Sequence, residues 1–357
     1  MRVASQFGRR LRLSRLAADL SLRQLAAAID HAVSAQAIGQ YERGRMLPGS
    51  NIALKLAETL AVPLAYLLSP LQLRLEAVEF RRQSALPARQ RALVEAAVLE
   101  HLDRYLQIEG LLNQLDLPWQ VPTGAPYAVA GGLADAELAA RRTREAWHLG
   151  QGPLSRLTEE LEQRGIKVLM LDVPLSVDGL SCQVPQPDNA PLPVMVASTL
   201  KPFERQRFVM AHELGHMVLA VTDPARLEAA CDRFAGAFLM PAEAVRAYFG
   251  SRRHAFGYEE IGDIARLFGI SGMTVLNRLV ELEIITAATR RRVSRTLKPA
   301  LVAPSPPGID ERPQRFQRLV LRALAEGALT EAKAVELLQV TTTELARLIN
   351  GPPGNPA

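Results

Sequence analysis

Between Val209 and Val218 the chain reads VMAHELGHMV. His212 and His216 stand four residues apart, so on a helix both imidazoles leave one face and reach one metal ion. Glu213 follows the first histidine and falls beside that ion. In this H-E-x-x-H spacing the imidazoles hold zinc, a bound water becomes acidic near neutral pH, and the glutamate takes its proton. Attack on a carbonyl polarised by the metal hydrolyses a peptide bond, and Glu213 then hands the proton to the leaving amine. A catalytic zinc needs a third protein ligand and an open fourth position. Arg226 to Ala235 reads RLEAACDRFA, with Glu228 and Asp232 again at i and i+4. Glu228 is expected as the third ligand. Asp232 is expected to accept from the free ring nitrogen of a ligating histidine. Glu228 or Asp232 paired only with arginine would instead be a solvated helix face. Cys231 reads as a small buried residue on a different face from Glu228, not as a ligand. His31, His101, His148 and His254 have no ligand-like neighbours and read as surface or capping residues.

A second group of functional residue types lies at the N-terminus. Residues 1–69 carry nine Lys and Arg against four Asp and Glu, an excess equal to the +5 of the whole 357-residue chain. A basic excess confined to one small segment is the electrostatic footprint of a phosphate-binding module, although a solvated basic surface gives the same count. Ser21 precedes the helical run LRQLAAAI, and Ser34 precedes AQAIGQYE, which stops near Gly44. Serine is a favoured N-cap and glycine a favoured helix stop. Two short helices across a tight turn make a helix-turn-helix, whose second helix enters the major groove by its N-terminal residues. Ser34, Ala35 and Gln36, with Gln40 one turn on, are expected at base edges, where Gln can pair bidentately with adenine. Gln24, Arg43 and Arg45 are expected on phosphates, where they position without reading sequence.

Both sites need elements to hold them. Residues 71–117 read as mostly helical, with a helix from near Pro87 to about Leu115. Pro118, Pro122, Gly124, Pro126, Gly131 and Gly132 mark a linker. Glu137–Leu149 reads as a helix, Ile166–Leu171, Asp178–Val184 and Val194–Ala197 as strands, and Phe203 to about Leu239 as helical. Within 258–286, Leu267 to Ser271 is a helix-turn signal, and Ser271 caps a helix carrying Leu276, Leu279 and Leu282. This unit reads as a second helix-turn-helix. The basic run Arg290, Arg291, Arg292, Arg295 and Lys298 after it could meet DNA, or the helix pair could be a packing platform for the peptidase. Hydrophobic residues at 48% exclude a mostly disordered chain, and 5% aromatics argue against an aromatic-rich β-sandwich. Two distant cysteines exclude a disulfide scaffold and fit a reducing cytoplasm. The N-terminus lacks a signal-peptide core, and no apolar run is long enough to span a membrane.

The segment SLRQLAAAIDHAVSAQAIGQYERGRMLPGSNIALKLAETLAVPLAYLL resembles the lambda-repressor/Xre class of five-helix DNA-binding domains, a likeness covering nearly all of residues 5–68. YERG followed by Pro48, and the closing LAETLAVPLAYLL, are its most specific parts. The resemblance implies a buried ion pair between Arg15 and Glu42, tying the first helix to the recognition helix. ERQRFVMAHELGHMVL and EAACDRFAGAFLMP resemble the ImmA/IrrE zinc metallopeptidases, and LSCQVPQPDNAPLPVMVAS resembles that family's strand region; together the likeness spans residues 135–245. It implies His212, His216 and Glu228 as ligands, Glu213 as base, and cleavage of transcriptional repressors, often after DNA damage or in control of mobile elements. Family members commonly carry a small aliphatic residue in place of Cys231 and an Asn in place of Ser198.

The expected fold is mainly α with a small α+β domain. Residues 1–70 form a five-helix Xre-type DNA-binding domain, 71–117 a helical connector and 118–134 a linker. Residues 135–250 form a gluzincin-like metallopeptidase domain with a small sheet. A helix-turn-helix-like unit spans 251–298, a Pro-rich linker 299–313 and a helical region 314–357. The expected function is a cytoplasmic DNA-binding regulator with a Zn2+ cofactor. Its expected partners are a double-stranded DNA operator and a repressor or antitoxin-like protein substrate, with no membrane; a homodimer follows by analogy with palindromic operators. Self-cleavage is a variant of this reading. The rival readings are a transcription factor whose peptidase-like domain senses a ligand or partner without cleaving, and a component of a toxin–antitoxin-like pair. Glu213 favours the enzyme, because a pure sensor has no need of it.

Overall fold

Serine caps set the first helices. The computed structural model describes all residues except 1, 19, 61, 63, 69–72, 83–86, 113–116, 187–189, 297–310 and 352–357. The N-terminal helices are α1 (Arg2–Ala17), α2 (Leu22–Ala28), α3 (Ala35–Glu42), α4 (Ser50–Thr59) and α5 (Leu64–Leu68). Ser21 Oγ accepts from the Gln24 amide while the Gln24 side chain accepts from the Ser21 amide, a closed capping box. Ser34 Oγ accepts from the Ala37 amide and starts α3. Helix α1 crosses α3 at Gly8, where a Cβ would lie 2.2 Å from the Tyr41 carbonyl oxygen. The ion pair implied for Arg15 is present: its Nε and Nη2 meet the two Glu42 oxygens at 2.6 and 2.9 Å.

The chain continues through β1 (Glu76–Arg82), α6 (Ala88–Leu111), β2 (Tyr127–Val129), α7 (Leu133–Ala146) and α8 (Leu157–Gln163). Strands β3 (Lys167–Leu171), β4 (Val177–Val184) and β5 (Leu192–Ser198) lead to α9 (Phe203–Val218), β6 (Leu219–Val221) and a 3-10 turn (Pro224–Arg226). Then come α10 (Leu227–Leu239), α11 (Ala242–Phe249), α12 (Tyr258–Phe268), α13 (Gly272–Glu281) and α14 (Ala287–Thr296). Helices α15 (Arg315–Ala325), α16 (Glu331–Leu338) and α17 (Thr342–Asn350) close the chain. The connector departs from expectation. Residues 71–117 are not helical throughout, because 76–82 form a strand. EAVEFRR has little intrinsic strand pattern, and pairing with β4 decides its state. Strands β2 and β6 were not expected either; at three residues each they carry no readable alternation. Of the second Pro-rich linker, residues 299–310 lie outside the described residues, as does Lys298.

Four strands form one mixed sheet in the order β1-β4-β5-β3, with β3 parallel and β4 antiparallel to β5. Both faces are covered, so β5 is buried at all seven positions. Val168, Met195 and Ala197 face the core built by α7 to α13. Leu169, Leu180, Val194 and Val196 face a second core, shared with α1 to α6 and α15 to α17. The N-terminal helices therefore dock on the sheet through α6 instead of hanging from a linker. Arg10 and Asp103, both buried, pair across this docking at 3.3 Å.

One carboxylate near the end of the second linker secures the centre. Buried Glu311 accepts from the Leu157 and Thr158 amides at 3.0 and 2.8 Å, capping α8, whose own N-cap Arg156 supplies no side-chain bond. The same carboxylate meets the guanidinium of Arg207, a fully buried residue on α9. Arg207 also donates to the Leu154 carbonyl at 2.8 Å. Removing one partner of a buried pair strands the other charge. Glu311→Ala should therefore lower stability by about 3–5 kcal/mol, read as the shift of the denaturant unfolding curve. A shift within ~0.5 kcal/mol would show that the pair does not fasten α9.

Candidate metal centre and nucleic-acid interface

Helix α9 places the H-E-x-x-H residues and α10 brings the rest to them. The chain leaves α9 through β6, which pairs in parallel with β2. Asp223 then caps the 3-10 turn, its Oδ1 accepting from the Ala225 amide at 3.0 Å, so that α10 begins with Glu228 in its first turn. The two helices cross at Gly215. A Cβ there would sit 3.2–3.4 Å from Cα, Cβ and Sγ of Cys231, so the missing side chain lets α10 come close.

At this crossing His212 Nε2 and His216 Nε2 are 3.1 Å apart. The Glu228 carboxylate lies 3.5 Å from His212 Nε2 and 3.4 Å from His216 Nε2. Its side chain is 69% exposed, yet it reaches over the nearly buried imidazoles. Bonds of about 2.0–2.2 Å at tetrahedral angles put neighbouring zinc donors roughly 3.3–3.6 Å apart. The three observed edges fall on or near that range. His212 Nδ1 meets Asp232 Oδ1 at 2.9 Å, the contact that fixes which ring nitrogen faces the other donors. The sequence-predicted metal residues are thus brought together.

Two further residues join them. The Cys231 Sγ lies within 4.8 Å of the donor nitrogens of both histidines, forming a cluster of possible metal ligands. Cys231 is buried, as expected, but its assignment to a face away from Glu228 is corrected: residues three apart on a helix are neighbours. Burial raises the thiol above its ordinary value, with His216 acting in the opposite sense. Ser181 was missed. Its Oγ donates to Glu213 Oε2 at 2.6 Å from β4, and Glu213 itself is 1% exposed. Ser181 falls two residues after Gly179, on the face of β4 that α9 covers, and no local pattern in VDGLSCQV sets it apart. Ser198, fully buried at the end of β5, accepts from the Leu200 amide at 3.3 Å and closes the following turn. Burial pushes the Cys182 thiol up to about 12, so this cysteine is a packing residue. His101 is no surface histidine: it packs at a tilt against Phe316, and burial with Arg104 beside it lowers its pKa to about 3.

On α3, Gln36 is exposed and Gln40 and Ala35 half-buried, while Ser34 spends its hydroxyl on its cap. Arg43 and Arg45 are exposed just beyond α3. Gln24 is exposed on α2, but its side-chain oxygen is engaged by Ser21. Two of the nine N-terminal cations, Arg10 and Arg15, are buried and paired, so they add nothing to the outer basic surface. The second helix-turn-helix has its turn, with Gly269 left-handed at φ 62° and Ser271 capping α13. Helix α13 nevertheless lies in the core, and buried Arg278 binds Glu137 at 2.7 and 2.8 Å and the Met240 carbonyl at 3.2 Å. This side of α13 is thus a packing face for the core.

Residues 161–280 match the family described as IrrE N-terminal-like domain, of the M78 peptidase type. Residues 11–67 match the helix-turn-helix family. The chain joins a helix-turn-helix domain to an IrrE N-terminal-like domain. No curated protein matches it. The first domain is a DNA-binding domain, and the second is metallopeptidase-like with a possible metal site at the α9–α10 crossing. Among the described residues no helix is long and apolar enough to cross a membrane. Because the crossing depends on the bare Gly215, Gly215→Ala should push α10 outward and destabilise the domain by about 1–3 kcal/mol, visible as a lower Tm. An unchanged Tm would mean that the contact is not close enough to set the helix separation.

Proposed function

We propose that this protein is a DNA-binding regulator whose central domain is a zinc endopeptidase acting on a repressor or antitoxin-like protein in the cytoplasm. The observation that carries the reading is the set of donor edges at 3.1, 3.4 and 3.5 Å among His212, His216 and Glu228, with Glu213 adjoining. These residues fit zinc, and the chemistry of two imidazoles and a carboxylate suits a catalytic site with one position open. Zinc bound there would supply Lewis acidity and acidify water. Asp232 orients His212. Ser181 holds one Glu213 oxygen, directing the carboxylate as proton acceptor from water and then as donor to the leaving amine. Cys231 fills the seat at Gly215 and is not a ligand. Two free, buried cysteines among the described residues agree with a reducing compartment.

Glu213→Gln should keep zinc and DNA binding, since neither uses the carboxylate charge, and cut cleavage of the substrate by ~100–10,000-fold. Zinc content should collapse in His216→Ala and Glu228→Ala and persist in Cys231→Ala, as metal analysis would show. Regulation that survives Glu213→Gln with no protein cleaved in either strain would overturn the enzyme in favour of a non-cleaving sensor.

On the DNA side, α3 is proposed to read bases with Gln36 and Gln40, while Arg43 and Arg45 hold phosphates. Gln36→Ala should relax preference at one position by about 1–3 kcal/mol, whereas Arg43→Ala should weaken all sequences alike and flatten the salt dependence by about one unit of slope. Equal losses on operator and random duplex for both variants would contradict this division.

A further inference from the structure

Strand β4 is the strand that touches Glu213. Its Gly179 and Ser181 face α9: a Cβ on Gly179 would strike Val209, and Ser181 bonds the Glu213 carboxylate. One edge of β4 pairs with β5 through six uninterrupted residue pairs. Its other edge would present bare amides and carbonyls beside Glu213, the kind of edge to which an extended peptide adds as a new strand. Here that edge is taken by β1, a segment of this chain from between the helix-turn-helix domain and α6.

Strand β1 is antiparallel to β4, with Phe80 opposite Leu180 and Glu79 opposite Ser181, so its backbone passes next to the residue that holds Glu213. Its pairing is also irregular. The ladder has five registered pairs and is broken twice, between Glu76 and Glu79 and between Arg81 and Arg82. Within the first break Ala77 sits at φ 48°, a left-handed conformation that a residue with a Cβ rarely adopts. Glu76 and Ala77 are exposed.

We infer that this edge of β4 is the binding groove for an extended peptide substrate and that β1 is its occupant in cis. The inference rests on the peptidase reading above and adds the mode of substrate binding. While β1 is paired, a peptide in trans is excluded. When β1 leaves, the groove opens, and the released segment is the one that leads to the DNA-binding domain. Occupancy of the groove is therefore set by the segment that leads to the helix-turn-helix domain, which itself docks through α6.

The test uses the full chain with Glu213→Gln, so that nothing is cleaved, and a dye-labelled synthetic peptide of residues 74–82. Phe80→Pro removes an amide and breaks the strand. Apparent affinity is divided by the fraction of chains with the groove open, so the parent should bind the peptide ~10–100-fold more weakly than the Phe80→Pro variant. In the parent, saturating peptide should also speed amide exchange over 76–82 while the β4–β5 amides stay protected; this second reading stands even if Phe80→Pro misfolds. Equal affinity of both chains, or no binding to either with unchanged exchange, overturns the inference. Peptide binding needs no hydrolysis. Binding without any cleavage by the Glu213 form would fault the peptidase reading alone, whereas cleavage of a protein partner without peptide binding would fault only this one.

Discussion

Helix α9 is buried along most of its length while carrying Arg207, His212 and Glu213, which water cannot solvate there. A buried polar or charged side chain is tolerated only with a partner. Each partner comes from a different part of the chain: Glu311 from the end of the second linker, Asp232 from α10 and Ser181 from β4. The need to satisfy one polar helix thus draws the sheet, the neighbouring helix and the C-terminal segment into fixed places around it. The same contacts that make the helix tolerable in the core also aim its histidines at one point.

The second constraint is the sheet, which has a core on each side. On one side lies the peptidase-like domain. On the other, α6 carries the helix-turn-helix domain, fastened by Arg10 to Asp103. Buried Lys167 on β3 pairs with Glu109 of α6, and Arg315 of α15 meets the same carboxylate. The sheet is therefore a shared floor, and the helix-turn-helix and peptidase-like domains are mechanically joined through it. That arrangement gives a physical route by which events at one region bear on the other, with β1 as its irregularly paired strand.

Much of the site was legible because its residues are close in sequence and helix periodicity does the rest. His212, Glu213 and His216 lie within five residues, and Glu228 and Asp232 repeat the same spacing on the next helix. Caps at Ser21, Ser34 and Ser271 were equally local. What was not legible depends on distant pairing. Strand β1 has no strong alternation of its own and owes its state to β4. Ser181 reads as one serine in a strand until α9 is laid across it. Cys231 lies three residues from Glu228, an offset that helix periodicity puts on a neighbouring face beside the donors. The second helix-turn-helix shows the converse: its turn was readable, but burial of Arg278 against Glu137, which packs α13 into the core, depends on α7 more than a hundred residues away.

The central claim is that the α9–α10 crossing builds a zinc centre from two imidazoles and the Glu228 carboxylate, with the Cys231 sulfur packed against Gly215 outside the ligand set. X-ray absorption at the zinc edge of the full-length protein tests it most directly. The account predicts one zinc with nitrogen and oxygen neighbours at about 2.0–2.2 Å and no sulfur neighbour. A sulfur shell at about 2.3 Å, or a protein that takes up no zinc, would contradict it.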